Sequence, residues 1–175
     1  MDGPITIERL DAEAARAHRD ALADVLVDCV EGGASVSYMA PFPKDAARTA
    51  FAAIEPEIAD GRRVLLAAFG DGALVGTVQI AAAWPPNQPH RADVAKLLVR
   101  RSARKRGVGR MLMERVEVEA RAEGKTLLVL DTVTGGDAER LYERLGWTRV
   151  GVIPNYALFP DGRPCDTTVF WKSPA

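Results

Sequence analysis

The sequence predicts a single α/β domain: a mixed, mostly antiparallel sheet flanked by about four helices. Three observations predict it. Short apolar or alternating runs bounded by Gly, Pro, Asn and Asp recur along the chain and read as strands. Longer stretches with apolar residues at i, i+3 and i+4 separate some of these runs and read as helices. A strand–helix–strand unit over residues 93–131 requires a parallel, right-handed crossover in the middle of the chain.

Taken in order, residues 5–9 alternate and form a short strand. Asp11 caps a helix that runs to Cys29 and Val30, with Leu22, Val25, Leu26, Cys29 and Val30 at helical spacing. Gly32-Gly33 stops it, and residues 34–43 form an apolar loop holding Tyr38, Met39 and Phe42. A second helix covers residues 44–60, with Ala47, Phe51, Ile54 and Ile58 on one side and Pro56 placed to kink or shorten it. Residues 63–69, the turn Gly70-Asp71-Gly72 and residues 73–82 have a hairpin signature. Trp84-Pro85-Pro86-Asn87-Gln88-Pro89 breaks the pattern, and residues 93–99 form the next strand. A helix opens near Gly107 and runs to about Glu123, with Val108, Leu112, Val116 and Ala120 four apart. Residues 126–130 have the composition of a buried strand. Residues 136–145 form a helix carrying Ala138, Leu141, Tyr142 and Leu145, ended by Gly146. Residues 147–153 and 166–171 are the last strands, with a turn at Pro160-Asp161-Gly162.

A chain of 175 residues suits one domain, taken as residues 1–175, with a full-sized core. A net charge of -1 excludes a nucleic-acid binder that works through its overall charge, so any phosphate affinity must be local. Cys29 and Cys165 lie far apart without metal-ligand spacing, so neither a disulfide framework nor a metal site is expected. The opening MDGPITIERL is acidic and mixed, unlike a signal peptide. No apolar run approaches the roughly 20 residues of a membrane helix. The expectation is a cytoplasmic enzyme without a membrane or nucleic-acid partner.

The most informative stretch is LLVRRSARKRGVGRML, residues 97–112. A strand ends at Val99; Arg100, Arg101, Arg104, Lys105, Arg106 and Arg110 follow with no acid among them, and Gly107-Val108-Gly109 enters a helix. Helix-terminal N–H groups, the positive end of the macrodipole, glycines that admit close approach and arginines together suit a pyrophosphate. A dinucleotide fold fits poorly. The glycines lie well beyond the strand, Leu112 replaces the third one, and a hairpin and two helices precede the unit. Nucleic-acid binding by residues 100–110 is disfavoured by the lack of interleaved aromatics.

Arg104-x-x-Gly107-x-Gly109 resembles the coenzyme A signature of the GNAT acetyltransferases. Ala138-x-x-Leu141-Tyr142-x-x-x-Gly146-Trp147 resembles the family's second signature. The likeness extends, toward the tabtoxin-resistance branch, through Val30-Glu31-Gly32-Gly33-Ala34-Ser35-Val36, Leu130-Asp131-Thr132, Thr148-Arg149-Val150-Gly151 and Pro160-Asp161-Gly162-Arg163. The resemblance implies a GNAT fold whose fourth and fifth strands splay into a V, and an N-acetyltransferase with acetyl-CoA as co-substrate. It also implies that Leu98 and Val99 offer backbone groups to the pantetheine and acetyl carbonyl. Arg104, Arg106, Gly107, Val108, Gly109 and Arg110 would hold the pyrophosphate. One departure is Gly135, which stands where many members carry Asn.

Amine acetylation needs a group to take the amine's proton, a donor for the oxyanion and an acid for the leaving thiolate. Tyr142 stands where similar enzymes keep a tyrosine that reaches the thioester sulfur; spacing alone would make it a core aromatic. Asp93 and Asp131 are the candidates for the base or for pairing with the substrate ammonium, on adjacent parallel strands. Asp93 stands where the resembled branch carries the longer Glu, so a bridging water would be needed. His18 is read as packing, and His90 as a weaker neighbour of the acceptor. Tyr38, Trp84 and Tyr156 are candidate walls of the acceptor pocket. Neither cysteine falls in a signature segment, so direct transfer without an acetyl-enzyme is expected. The expected acceptor is an amine of a small molecule, such as an antibiotic or amino-acid-like toxin, and the protein a monomer or homodimer. The alternatives are a protein or peptide amino group as acceptor, or a non-catalytic acyl-CoA-binding module.

Overall fold

The structure is a computed structural model that describes residues 3–174. After strand β1 (Thr6–Leu10), Asp11 Oδ1 accepts the Ala14 N–H at 2.8 Å and starts helix α1 (Ala12–Ala17) as its residue type predicts. The single helix expected here is in fact two: the chain turns at His18 and restarts as α2 (Arg19–Glu31). The His18 ring packs edge-on against Phe69 at 5.2 Å, the packing role its spacing suggested. Helix α3 (Lys44–Ala59) follows and carries Pro56 in its last turn, where the helix ends soon after.

Strands β2 (Arg63–Gly70) and β3 (Ala73–Ala82) are the expected hairpin. Asp71 and Gly72 have φ of 52° and 76°, the left-handed pair that a two-residue turn needs. Next come β4 (Arg91–Val99), α4 (Val108–Ala122), β5 (Leu127–Val133), α5 (Asp137–Arg144), β6 (Thr148–Leu158) and β7 (Pro164–Lys172). The order across the sheet is β1-β2-β3-β4-β5-β7-β6. Every neighbouring pair is antiparallel except β4 and β5, which are parallel as the crossover required. This is the α/β fold with a central parallel pair, with five α-helices among the described residues rather than about four.

Two apolar cores flank the sheet. Leu22, Val25, Leu26 and Phe51 from α2 and α3 pack on Leu65 and Leu98. On the other face Leu112 and Val116 from α4 and Tyr142 from α5 pack on Leu66, Val78, Leu128 and Phe170. Burying each large apolar side chain contributes about 1.5–3 kcal/mol, so both faces hold the sheet. Edge strand β6 leaves Val150, Val152, Ile153, Tyr156 and Leu158 exposed. Among the described residues no helix is long and apolar enough to cross a membrane.

Candidate active site

The sheet opens between β4 and β5. They pair only at Arg91↔Leu127, Ala92↔Leu128 and Asp93↔Val129. Beyond this point β4 continues along β3 to Val99↔Gly76, and β5 continues along β7 to Val133↔Thr167. The two strands therefore diverge into the V that the resemblance implied. A β-bulge accompanies the divergence: the β3–β4 register shifts between Thr77 and Gln79, and Lys96 has φ of 55°. Such a bulge bends the strand that carries it and re-aims side chains.

Alternation sorts the residues around the gap by face. On β5, Leu128 and Leu130 belong to the α4-side core, so Asp131 lies on the α1–α3 side of the sheet. On β4, Ala92 and Val94 belong to the α4-side core, so Asp93 shares that side with Asp131. Asp131 was expected at the end of its strand; β5 runs on to Val133, and Asp131 pairs with Val169 inside it. It is exposed, yet the walls of the gap still desolvate it and push its carboxyl above its ordinary value. The Lys96 ammonium opposes this shift and the Asp93 carboxylate adds to it. Asp93 itself is held by Arg91 Nη1 at 2.5 Å.

Tyr142 approaches from the other face. It is 5% exposed, with its ring centroid 5.9 Å from those of both Trp147 and Phe170. Burial pushes its phenol well above the usual range, with Asp131 adding to the effect across the gap. Among the described residues its hydroxyl makes no side-chain hydrogen bond.

The loop after β4 leads to the start of α4. Gly107 caps the helix with φ of 81° and offers no side-chain hydrogen bond, so the first N–H groups of the helix have no side-chain cap. A Cβ on Gly109 would sit 3.3 Å from Leu141 and 4.0 Å from Val99, so β4, α4 and α5 converge there. Val108 is buried, which fixes the first turn to the core. Arg104 is exposed and its Nε donates to the Val99 carbonyl at 3.3 Å, which also accepts from Cys29 Sγ at 3.5 Å. Leu98 is buried in the α2–α3 core. Arg106 turns toward the β2–β3 turn, where Nη2 meets Gly3 O at 3.3 Å and Asp71 Oδ2 at 3.5 Å. Arg110 pairs with Glu114 one turn on, at 2.7 Å. Gly135 has φ of 78°, and its N–H is taken by the Glu139 carboxylate, which also accepts from Thr168 Oγ1 at 2.7 Å.

Residues 34–43 cross the α1–α3 side of the gap as a strap. In its middle Lys96 Nζ donates to Val36 O at 2.8 Å and to Ser37 Oγ at 2.6 Å. On either side of these, Ser35 Oγ donates to Leu158 O at 2.7 Å and the Ala40 N–H to Pro160 O at 3.0 Å. Tyr38 stacks on Phe42 with centroids 4.5 Å apart and lies beneath Lys96 Nζ, so it belongs to this wall. Tyr156 is exposed on β6 near the same turn. Trp84, 90% exposed, lies in the β3–β4 connection beside the closed end of the V, and His90 sits there too. The structure thus brings Asp93, Asp131, Tyr142 and Tyr38 around one gap and leaves Trp84 and His90 at its far end. Sequence reading missed Lys96, because a regular strand would put it and Ala95 on opposite faces.

Residues 34–147, which span this gap, match the model of the acetyltransferase (GNAT) family. The chain belongs to this family. It is an acetyltransferase that draws its acetyl group from acetyl-coenzyme A. Solved structures share its fold throughout. An N-acetyltransferase from Staphylococcus aureus Mu50 is 18% identical, with 99% of this chain and 100% of that chain covered and a TM-score of 0.81. The yncA protein of Salmonella typhimurium, determined with its cofactor acetyl-CoA, is 22% identical, with 98% and 94% covered and a TM-score of 0.80. The ribosomal-protein-alanine N-acetyltransferase from Brucella melitensis is 21% identical, with 96% and 99% covered and a TM-score of 0.81. The residues present fit coenzyme A. The acetyltransferase keeps an uncapped helix start at the mouth of the V, with Arg104, Lys105 and Arg110 exposed around it.

Proposed function

We propose that this chain, over residues 1–175 as one domain, transfers acetyl directly from acetyl-CoA to an amine of a small molecule. The observation that carries this reading is the approach to one gap from two faces. Asp93 and Asp131 come from the α1–α3 side and Tyr142 from the α4–α5 side. An acceptor and a thioester entering from opposite faces would meet between them.

Acetyl-CoA supplies the acetyl group as a thioester. Val108, Gly109 and Arg110 would hold its pyrophosphate on their N–H groups, with Arg104 and Gly107 completing the cradle; Arg106, which rests against Gly3 O and Asp71, would join by turning back toward the helix start. Backbone groups of Leu98 and Val99 line the pantetheine path. Asp131 takes the proton from the acceptor ammonium, and Asp93 helps hold that ammonium or relays through a water. As the amine nitrogen bonds to the carbonyl carbon and the C–S bond breaks, Tyr142 gives its phenolic proton to the departing thiolate; the nitrogen sheds its second proton to solvent, the tyrosinate takes one back, and Asp131 releases its own, so each turnover yields the amide, the free thiol and one net proton. Both cysteines are buried, and burial pushes the Cys29 thiol upward, which supports direct transfer over an acetyl-cysteine route.

The strap, tied at both ends, supports a small acceptor over a protein or peptide; Tyr38 and Tyr156 would wall its pocket, with Trp84 at most a distant contributor. The segments shared with the tabtoxin-resistance branch support an amino-acid-like toxin or antibiotic as acceptor and a role in resistance. Two unpaired buried thiols support a cytoplasmic location. The chain works as a monomer or homodimer, and the exposed apolar residues of β6 support the dimer, which sedimentation would weigh.

The deciding test is thiol release from acetyl-CoA across a panel of amines, amino acids, β-lactam toxins, aminoglycosides and short peptides. Release with a small amine, lost in Asp131→Asn, supports the proposal. Release only with peptides overturns the small-molecule reading. Acetyl-CoA binding with no release, together with a Tyr142→Phe variant that behaves identically, favours a non-catalytic binding module.

A further inference from the structure

Lys96 is a charged group on the acceptor side that the transfer chemistry does not use. Its backbone is left-handed at φ 55°, a conformation unfavourable for a non-glycine residue. The bulge that imposes it turns Lys96 to the face shared by Asp93 and Asp131. The side chain is half-buried, and desolvation lowers its ammonium from the ordinary value while Asp131 pulls it back up. An ammonium has three donors. Two are used, on Val36 O and Ser37 Oγ, both neutral. Among the described residues no carboxylate forms an ion pair with Lys96; beyond those two bonds its ammonium lies over the Tyr38 ring, 5.6 Å from the centroid. Arg63, the nearby cation, is engaged by Glu57 at 2.6 Å and by Gln79 at 2.7 Å.

The gap therefore presents two carboxylates and, on the same face, an ammonium that no carboxylate pairs with. We infer that Lys96 is a specificity-determining residue that binds a carboxylate on the acceptor, selecting small amines that also carry a carboxylate: free amino acids and their analogues. This rests on the acetyl-transfer reading above and narrows its acceptor class. A zwitterion satisfies both signs of charge at once, its ammonium toward Asp131 and its carboxylate toward Lys96. A peptide N-terminus, whose first carboxyl is an amide, and a simple alkylamine each leave Lys96 unanswered.

The test compares thiol release for amino acids with that for their carboxamides and decarboxylated amines, in the wild type, Lys96→Met and Lys96→Arg. The wild type prefers the carboxylate form. Lys96→Met lowers kcat/KM for that form about 10- to 100-fold, mainly through KM, the range expected for a lost hydrogen bond to a charged group. It lowers the carboxamide less, because only the strap contacts are lost there, so the preference narrows, and Lys96→Arg restores part of it. A purely structural lysine that only holds the strap would lower both forms alike, and equal losses overturn the inference. A wild type that turns over only carboxylate-free amines also overturns it while leaving the transferase reading intact. Turnover of no small amine overturns both.

Discussion

Asp131, the proposed base, illustrates how a carboxylate is kept basic at a cost to the fold. Desolvation raises its carboxyl above the unfolded value, so the folded state favours the protonated form. Its contribution to stability is present below the ordinary carboxylate pKa of about 3.9 and is lost as pH rises through the raised value. Asp131→Asn should therefore melt at or above the wild-type temperature at neutral pH, with the difference closing on acidification, as thermal melts across pH would record. Its kcat should fall about 10²- to 10⁴-fold. A variant less stable than wild type at neutral pH would contradict the account. In the wild type, kcat/KM should rise with pH through the same raised pKa. Tyr142 separates in the opposite way. Its ring is core and its hydroxyl makes no side-chain bond, so Tyr142→Phe should lose turnover and keep its melting temperature. Tyr142→Ala should cost about 3–5 kcal/mol on denaturation. The sequence singled out Asp93, Asp131 and Tyr142 because each sits in a recognisable segment, and the structure brings the three to one gap. Lys96 was not singled out, because a bulge reverses the side-to-face rule on which strand reading depends.

At the level of elements, the placement of α4 sets where the proposed phosphate-binding loop sits. A Cβ on Gly76 would lie 2.9 Å from Leu98 O, 3.1 Å from Val108 and 3.3 Å from Leu112. The first turn of α4 is thus pressed onto β3 and β4 through a space only glycine leaves. Gly76→Ala should cost about 1–3 kcal/mol in urea denaturation by overpacking. Because the clash displaces the helix start, calorimetry should also show weaker acetyl-CoA binding; unchanged affinity would mean the helix start is set elsewhere. The hairpin and the α4 start were readable because their turn residues have few alternatives. Strand lengths were not. The sequence reading stopped β6 at Ile153, where Pro154-Asn155 ends the alternation, but the strand absorbs this as a bulge and runs to Leu158. Asn155 takes φ of 52°, and its N–H is received by Asp166 Oδ1 at 2.8 Å, a partner distant in sequence.

The whole molecule is two cores on either side of a sheet that is unpaired in its middle. Sequence patterning gives the strands but not their order, and the insertion of β7 between β5 and β6 follows from long-range pairing alone. That insertion lets β5 lean away from β4 and still satisfy its backbone on the β7 side. The open edges facing the V have no such partner within the sheet, so a ligand that fills the gap should stabilise the entire domain by binding the folded chain alone. At a concentration 100 times its Kd, acetyl-CoA should add about 2.7 kcal/mol. At roughly 2–4 °C per kcal/mol for a domain of this size, the melting temperature should rise by about 5–11 °C. Scanning calorimetry against acetyl-CoA concentration measures this. The rise should keep growing with the logarithm of concentration, and coenzyme A without the acetyl group should give most of it, since the phosphate contacts are the same. The shift should shrink with added salt, because a protein of net charge -1 attracts the phosphates only through the local cluster at the start of α4. A melting temperature that stays fixed at millimolar acetyl-CoA would mean that the folded chain does not bind it at that concentration, against the cradle proposed at the start of α4.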